Sequence, residues 1–346
     1  MSPSSPKQLQ IGSVLGPYRL LEQLGAGGAG TVFVAENTES QQKCALKILR
    51  PGADEIEEIH ARFIREIAVA QKLNDPHVVS YYDCGVEDGI LYYAMEHVPW
   101  GALSDVLKRR GVLPWRDACE CAQQMAYALQ HLHDLGIIHR DLKPANVFLS
   151  DTGKLKIGDF GLARDSHAPT LTMEGMTVGT CKYISPEQAR GQNDLDQAAD
   201  LYALGCNLFE LIVGRTPFET PDAYEATTFV EMMRRHIEQP PPKLSELAPQ
   251  CPQRLSNLVD QLLAKSRGDR PESAADVAKE LQNIIDYPGA GATPAKSPAD
   301  DKESVLTERL RSSSTTTPEI SNTKLLVMAA VILIGILVFA ALSWGK

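Results

Sequence analysis

The stretch HRDLKPAN, residues 139–146, places a His, an Arg, an Asp, a Lys and an Asn close together on the chain. Apolar residues flank it on both sides, Ile137-Ile138 before it and Val147-Phe148-Leu149 after it. The stretch therefore brings a base, two cations and an amide together on one short loop.

Composition limits the classes of protein to which the chain can belong. Its 346 residues are 43% hydrophobic and 23% charged, an ordinary globular composition with room for one large domain or two smaller ones. The formal net charge of −10 argues against broad nucleic-acid binding, which requires a basic face. We therefore expect no nucleic-acid partner.

The seven cysteines are scattered and form no CxxC pair. The nearest two, Cys119 and Cys121, lie in a helix-like stretch. Side chains two residues apart on a helix point to nearly opposite sides and cannot share one metal ion. The pattern favours reduced thiols in a cytosolic domain.

A long apolar run stands near the end of the chain. Residues 325–342 are 18 apolar or Gly residues in a row, and as a helix they would measure about 27 Å against a hydrocarbon core of about 30 Å. With Ser343 and Trp344 completing it, the run predicts a transmembrane helix over 325–344. A buried core helix is the alternative, but it would need a polar stripe or a domain around it. More basic residues precede the run than follow it, which predicts a single-pass cell-membrane protein with its domain in the cytoplasm.

The rest of the chain divides by composition. Residues 1–14 are typical of a flexible N-terminus. The pattern is strand-rich with one helix from residue 18 to about 93, and mostly helical from about 103 to 285. Residues 287–324 are rich in Pro, Ser, Thr, Gly and charge, which predicts a disordered linker. The Ser312–Thr317 cluster in that linker is either a phosphorylation target or part of a plain flexible tether.

The glycine-rich sequence LGAGGAGTVFVAE, residues 24–36, spaces Gly25, Gly27 and Gly30 as GxGxxG. Glycines let a backbone approach phosphates closely, because no Cβ is in the way. In a dinucleotide-binding fold such glycines open a helix, but here β-branched and apolar residues follow, which predicts a hairpin. Val32 would then cover an adenine from above. A purely structural hairpin is the alternative.

Lys47 stands alone in the apolar strand CALKIL, where burial is costly unless the ammonium is paired. Two partners are available, a phosphate and a carboxylate from the helix that follows. Glu66 lies toward the inner side of that helix by its apolar spacing. Glu57 and Glu58 are the rival carboxylates, but they stand in its first turn, where acids usually face solvent.

Taken together, these motifs resemble those of the protein kinase family: a Gly-rich loop, a strand Lys, a helix Glu, HRDxxxxN and DFG, here Asp159-Phe160-Gly161. The resemblance covers residues 18–285. It implies an α+β, two-lobed fold over residues 15–286, with a small β-rich N-lobe (about 15–97) and a large helical C-lobe (about 98–286). It also implies ATP and Mg²⁺ as cofactors, with Mn²⁺ as an alternative metal.

The resemblance assigns roles to the loop HRDLKPAN. Asp141 would be the catalytic base, and Asn146 and Asp159 would hold Mg²⁺. Lys143 would stabilise the transferring phosphoryl group, and a Lys at this position resembles the Ser/Thr kinases. His139 would be structural and pack against Phe160.

The nucleotide pocket follows from the same resemblance, with Met95 at its rear and Glu96 to Val98 as the hinge. The implied ATP-binding set is Leu24, Gly25, Gly27, Gly30, Val32, Ala45, Lys47, Glu66, Met95, Glu96 and Val98. Three positions depart from the usual pattern: Cys44 replaces a commoner Val, Leu201 a larger residue, and Gly158 would leave extra room at the pocket floor.

The resemblance also implies control and structural ties. Arg140 stands just before the catalytic Asp. An Arg at this position implies activation by phosphorylation of the activation loop, because the phosphate supplies an anion that pairs with the Arg. Thr172 is the favoured site there, with Thr170 and Thr177 as the others. Thr180 would bond to Asp141 and Lys143, Glu187 would pair with Arg270, and Asp200 would anchor the backbone of the catalytic loop. The other residues with an implied structural role are His139, Arg140, Phe160 and Gly161.

We therefore expect an active, membrane-tethered Ser/Thr protein kinase whose partners are proteins with Ser or Thr hydroxyls. A homodimer for trans-autophosphorylation is a further hypothesis, since a membrane tether raises the effective concentration. Two alternatives remain: an ATP-binding pseudokinase scaffold, and a membrane-anchored interaction platform without turnover.

Overall fold

The structure is a computed structural model. It describes residues 9–27, 30–49, 67, 70–71, 73–159, 181–219, 228–289 and 305–311. Within these residues an antiparallel sheet comes first along the chain and a layer of helices follows it, so the fold is α+β.

The sheet has six strands in the order β1-β2-β3-β4-β6-β5, all antiparallel. Its strands are β1 (Val14–Leu15), β2 (Tyr18–Gly27), β3 (Gly30–Asn37), β4 (Lys43–Ile48), β5 (Tyr81–Glu87) and β6 (Ile90–Met95). Successive side chains of a strand point to opposite faces. Cys44 and Leu46 of β4 therefore lie in a small core on one face, while Ala45 lies in the main core on the other. Lys47 shares the parity of Ala45, which places it toward the helical layer.

The glycine-rich segment forms part of an antiparallel hairpin, as the flanking β-branched residues predict. Gly27 of β2 stands opposite Gly30 of β3. Gly30 has a φ of 136°, and a Cβ there would lie 2.1 Å from the backbone oxygen of Ile48 on β4. Only glycine fits this position, since both the backbone angle and the close approach of β4 exclude a side chain.

The helical layer is built around two long helices. In the described residues it contains α1 (Leu103–Arg110), α2 (Trp115–Asp134), α3 (Pro186–Ala189), α4 (Gln197–Val213), α5 (Phe229–Glu238), α6 (Leu244–Leu247), α7 (Gln253–Leu262), α8 (Ala274–Asp286), α9 (Leu306–Arg311) and the small hairpin β7 (Val147–Leu149) with β8 (Leu155–Ile157). α2 packs against both α4 and α8. α4 is buried on nearly all sides; Asp196 caps its first turn, and Gly214 ends it with a φ of 83°. This rigid centre supports the loops that carry the site.

The linker prediction fails at one place. Residues 306–311 lie inside the segment 287–324 that its composition marks as disordered, yet they form α9. Leu306 and Leu310, four residues apart on one side of the helix, are buried in the main core. The prediction of disorder used the overall polar composition of residues 287–324, which does not reveal a short amphipathic segment within it.

Two other predictions concern the termini and the thiols. In the part of the chain that the structure describes, no helix is both long and apolar enough to cross a membrane. The predicted span over 325–344 lies outside the described residues, as does most of the predicted flexible N-terminus. All seven cysteines are free thiols, as their scattered spacing predicts.

Candidate active site

Three residues of the loop HRDLKPAN meet at one carboxylate. Asp141 Oδ2 accepts hydrogen bonds from Lys143 Nζ at 2.9 Å and from Asn146 Nδ2 at 3.2 Å. The same amide nitrogen of Asn146 donates to the backbone oxygen of Asp141 at 2.9 Å. The turn Pro144–Asn146 closes the loop just before β7. A cation and an amide are therefore both brought within hydrogen-bond distance of the Asp141 carboxylate.

Asp200, near the start of α4, holds the loop from below. Its carboxylate is buried and accepts the backbone N–H groups of His139 and Arg140, each at 2.8 Å. His133 Nε2 contacts the same carboxylate at 2.8 Å. Arg140 has a φ of 63°, a left-handed conformation that costs free energy for a residue with a Cβ. The buried hydrogen bonds to Asp200 offset that cost. They also hold the backbone just before Asp141, which fixes the orientation of that residue.

His139 is fully buried beside the same carboxylate. Burial lowers the pKa of its imidazole, although Asp200 and Asp141 act in the opposite direction. The ring is therefore neutral near pH 7. Its Nδ1 accepts the backbone N–H of Asp141 at 3.2 Å, which makes His139 a support of the loop. Phe160, its expected packing partner, lies outside the described residues.

Asp159 follows β8 and faces the sheet. Its Oδ1 forms an ion pair with Lys47 Nζ at 2.9 Å and accepts a hydrogen bond from the Tyr93 hydroxyl at 2.9 Å. Its backbone N–H donates to the Tyr81 hydroxyl at 3.2 Å. Burial acts to raise the pKa of the Asp159 carboxyl, but Lys47, the Tyr93 hydroxyl and Lys143 outweigh it and hold that pKa below its usual value. Asp159 is therefore an anion near pH 7.

Two of these contacts were not predicted from the sequence. Tyr93 and Tyr81 lie on neighbouring strands with ring centroids 5.7 Å apart, and both hydroxyls reach Asp159. The available signal was a tyrosine at the inward parity of an otherwise apolar strand, since a buried hydroxyl needs a hydrogen-bond partner.

Lys47 pairs with a carboxylate that the sequence did not predict as its partner. Among the described residues its ion-pair partner is Asp159, whereas the sequence pointed to Glu66 on the next helix. Glu66 lies outside the described residues. Ile67 and Ala70, which come after it in the chain, are helical and fully buried.

The donor set fits a hard divalent cation bound with nucleotide phosphates. Among the described residues, the hydrogen bonds of the Asn146 side-chain amide use its nitrogen, so its carbonyl oxygen is left to act as a ligand. Asp159 supplies a carboxylate that stays ionised, and Mg²⁺ prefers such oxygen ligands together with phosphate oxygens. Asn146 and Asp159 are therefore the residues that would hold the metal.

A pocket of about 220 Å³ lies between the sheet and the loop. Seven of its lining residues belong to the predicted ATP-binding set: Leu24, Gly25, Val32, Ala45, Met95, Glu96 and Val98. Asp159, predicted as a metal ligand, lines it too. His97 lies within the predicted hinge, and three others were not predicted: Val79, Ala145 and Phe148. Three predicted residues in the described part of the chain do not line the pocket: Gly27, Gly30 and Lys47. The two glycines form the end of the β2–β3 hairpin, and Lys47 forms an ion pair with Asp159.

The Glu96 side chain is held away from the pocket. Its Oε2 accepts from Lys156 Nζ at 2.7 Å and from the backbone N–H of Ser80 at 3.2 Å. With its carboxylate bonded in this way, Glu96 would contribute to a ligand through its backbone. Lys156 was another residue that the sequence did not single out.

The expected extra room at Gly158 is not present. A Cβ at this position would lie 2.9 Å from Val79 Cγ2 and 3.2 Å from Phe148 Cε2. Both neighbours line the pocket, so they occupy the space that a side chain would fill. Cys44 is buried on the opposite face of the sheet and does not alter the pocket.

A buried ion pair ties the helical layer together below the site. Arg270 donates to both carboxylate oxygens of Glu187, at 2.7 and 2.9 Å, and to the backbone oxygen of Ala198 at 2.7 Å. Burial acts to raise the pKa of Glu187, but Arg270 outweighs it and lowers that pKa. Beside this pair, Gln188 donates to the backbone oxygen of Arg140 at 3.1 Å. The pair is thus connected to the catalytic loop.

Six further predicted residues lie outside the described residues: Phe160, Gly161, Thr170, Thr172, Thr177 and Thr180. In the described part of the chain, no cluster of His, Cys, Asp and Glu has the arrangement of a separate metal site.

The sheet and the helical layer carry a pocket and a charged loop at their junction. Residues 18–282 match the protein kinase domain family. The chain belongs to that family.

Known relatives agree with this assignment. The chain is 34% identical over 273 residues to serine/threonine-protein kinase PrkC of Bacillus subtilis. This alignment covers 79% of the present chain and 41% of PrkC. The chain is 35% identical over 270 residues to serine/threonine-protein kinase PknD of Mycobacterium tuberculosis, covering 78% and 40%. The matched region thus spans about two fifths of the length of these relatives.

Among solved structures, the chain is similar to the PknI kinase domain of Mycobacterium tuberculosis. The crystal structure of that domain superposes with a TM-score of 0.61 at 28% sequence identity, covering 80% of this chain and 99% of that domain. The two-lobed kinase fold, with a curled sheet in the N-lobe and helices in the C-lobe, follows from this likeness and from the family match.

Proposed function

We propose that the chain is a serine/threonine protein kinase that transfers the γ-phosphoryl group of ATP to Ser and Thr hydroxyls of proteins. One observation carries the proposal: the Asp141 carboxylate with Lys143 and Asn146 stands beside a pocket lined by Asp159. Phosphoryl transfer needs positioning and charge neutralisation more than covalent chemistry. These residues supply both.

Each side chain has a definite task in this reaction. Asp141 orients the incoming hydroxyl and accepts its proton, and Lys143 stabilises charge on the group in transfer. Lys47, held by Asp159, is placed to bind phosphate oxygens. Asn146 and Asp159 would hold Mg²⁺, with Mn²⁺ as an alternative; the bound metal would neutralise charge on the β- and γ-phosphates.

The test uses the full chain in detergent micelles, supplied with Mg²⁺, ATP and a generic protein substrate. Intact-mass measurement of the substrate should show gains of whole phosphate groups. Asp141→Asn should lower the rate by about 10²- to 10⁴-fold, because it removes the base, while nucleotide binding by thermal shift is retained. Nucleotide binding by the unaltered chain without any phosphate gain would instead support the pseudokinase scaffold.

Activation by autophosphorylation of the activation loop is the second part of the proposal. Arg140 Nε is buried and has no hydrogen-bond partner among the described residues, so a phosphate would satisfy this buried N–H group. Thr172 is the favoured site, and Thr170 and Thr177 are the others. Peptide mapping after incubation with Mg²⁺ and ATP should find phosphate on this loop in the unaltered chain and none in Asp141→Asn.

A membrane tether over residues 325–344 is the third part, and the uninterrupted apolar run supports it. Confinement to a surface raises the effective concentration of one kinase near another and favours trans-autophosphorylation in a homodimer. In cells, loop phosphorylation should be greater in the full chain than in a chain ending at residue 324, which keeps α9. Equal phosphorylation at matched expression would contradict this role.

A further inference from the structure

The short helix α9 lies on the C-lobe although it stands beyond the matched kinase domain. Leu306 and Leu310 are 4% and 0% exposed and belong to the main hydrophobic core. Val305 packs so closely on the turn before β8 that a Cβ at Gly153 would lie 2.0 Å from Val305 Cγ1. An isolated helix of this length is not stable in water. α9 therefore forms because it is docked.

Two arginines of α1 bind the C-terminal end of α9. Arg110 Nη2 donates to the backbone oxygen of Arg309, and Arg109 Nη2 donates to that of Leu310 at 3.5 Å. The last carbonyl groups of a helix have no partner within the helix and carry partial negative charge. The guanidinium groups of α1 satisfy them.

A side chain of α9 is in turn held by two acids of α2. The Arg309 guanidinium pairs with Asp117 at 3.2 Å and with Glu120. Burial acts to lower the pKa of Arg309, but Glu120 and Asp117 outweigh it and raise that pKa. α9 thus binds both α1 and α2 through charged groups that its own sequence supplies.

The opposite side of α1 forms a wall of the cleft beside the catalytic loop. Ser104, Leu107 and Lys108 of α1 line a cleft of about 480 Å³, and Lys143 and Glu210 line its other side. The inner side of α1 is fixed by Leu103 and Val106, which are buried. One short helix therefore contacts the core, the cleft and α9.

We infer that α9 is a latch: docked on α1 and α2, it holds α1 in place as a wall of the cleft, so that protein substrates bind tightly only while α9 is docked. The inference rests on the proposed kinase function, because a protein hydroxyl must approach Lys143 and Asp141 through this cleft. Linkage requires the reverse effect as well, namely that a bound substrate strengthens the docking of α9.

The experiment uses the full chain in detergent micelles and three variants. Arg309→Glu places like charges opposite Asp117 and Glu120 and should undock α9. Glu308→Arg is the matched control, since Glu308 is an exposed residue of the same helix. Arg309→Glu combined with Glu120→Arg restores an opposite-charge pair and should restore docking.

Two quantities are measured in each variant. Hydrogen exchange over 305–311 and 103–110 should be at least about tenfold faster in Arg309→Glu, as expected when a partly buried charge loses its partners. The KM for a protein substrate should rise about five- to tenfold, while the KM for ATP stays within about twofold of the unaltered chain. Glu308→Arg should match the unaltered chain, and the charge swap should recover most of the loss.

Two results would overturn the latch. The first is faster exchange over 305–311 with unchanged exchange over 103–110 and unchanged protein KM. The second is a charge swap that restores neither quantity. If the unaltered chain transfers no phosphate, the proposed function fails, and the exchange comparison still decides whether α9 holds α1 in place.

Discussion

The Tyr93 hydroxyl donates a hydrogen bond of 2.9 Å to Asp159 Oδ1, the same oxygen that pairs with Lys47. Two donors on one oxygen fix the carboxylate orientation and leave its other oxygen without a partner among the described residues. Asp159 also has a φ of 55°, a conformation that costs free energy in a non-glycine residue. Tyr93 is thus a positioning residue for the group expected to bind the metal.

Tyr93→Phe should weaken the response to Mg²⁺. A hydrogen bond to a charged group contributes about 1.5 kcal/mol or more, so the Mg²⁺ concentration for half-maximal rate should rise about tenfold. The rate at saturating Mg²⁺ should change little. Titration of the initial rate with Mg²⁺ measures both quantities.

Tyr92→Phe is the matched control for this change. Tyr92 precedes Tyr93 on β6, but its ring lies in the small core on the other face of the sheet. An equal rise in the Mg²⁺ requirement in both variants would contradict the role of the Tyr93 hydroxyl.

Lys47→Met should lower kcat/KM by about 10²- to 10³-fold, because it removes a preorganised cation from the phosphate site. It also leaves the Asp159 carboxylate without its ion-pair partner. Initial rates over a range of ATP concentrations measure the change. Lys43→Met is the control, since Lys43 lies on the same strand and is exposed; a loss of less than about threefold in Lys47→Met would be inconsistent with the site.

Arg270→Met should destabilise the C-lobe strongly. Glu187 would remain buried with no cation to pair with, and removing one partner of a buried pair costs about 3–5 kcal/mol. Urea unfolding followed by fluorescence measures the free energy of unfolding. Arg254→Met provides the comparison, because Arg254 pairs with Glu280 at the surface, where such a pair contributes about 1 kcal/mol or less. Similar losses in both variants would contradict the argument.

Local sequence patterns predicted the parts of the molecule that depend on residues close together in the chain. The β-branched residues after Gly30 predicted a hairpin, and the inward parity of Lys47 follows from its strand alone. The contacts between Asp141, Lys143 and Asn146 occur within one short loop. Spacing was informative in each of these cases because the partners are neighbours in the chain.

Contacts between distant parts of the chain could not be predicted in this way. Tyr93 and Asp159 meet across 66 residues, and nothing near either residue specifies the other. The space around Gly158 depends on Val79 and Phe148, which come from other segments. α9 was missed because a six-residue helix is weakly encoded in the sequence and is formed by docking.

A buried histidine in α5 gives the last prediction, on the pH dependence of stability. The His236 ring is fully buried; its Nδ1 lies 2.9 Å from the Tyr202 hydroxyl, and its centroid is 4.8 Å from that of Phe218. Burial, and then the nearby Lys265, lowers the pKa of His236 to about 3. The unfolded chain binds a proton at this residue with a pKa of about 6.5. Below that pH the unfolded state binds more protons than the folded state, so stability is present above about pH 6.5 and is lost as the pH falls toward 3.

His236→Gln should remove this part of the pH dependence. From pH 7 to pH 5.5 the unaltered chain should lose about 1 kcal/mol more than the variant in its free energy of unfolding, the amount that one such proton supplies. Burial also lowers the pKa of His139, His77 and His97, but these residues are present in both chains and cancel in the difference. Urea unfolding at both pH values measures the loss, and from pH 8 to pH 7, where the histidine is mostly neutral in the unfolded state as well, the two chains should differ by only about 0.2 kcal/mol. Equal losses from pH 7 to pH 5.5 would show that His236 is not held neutral by the fold.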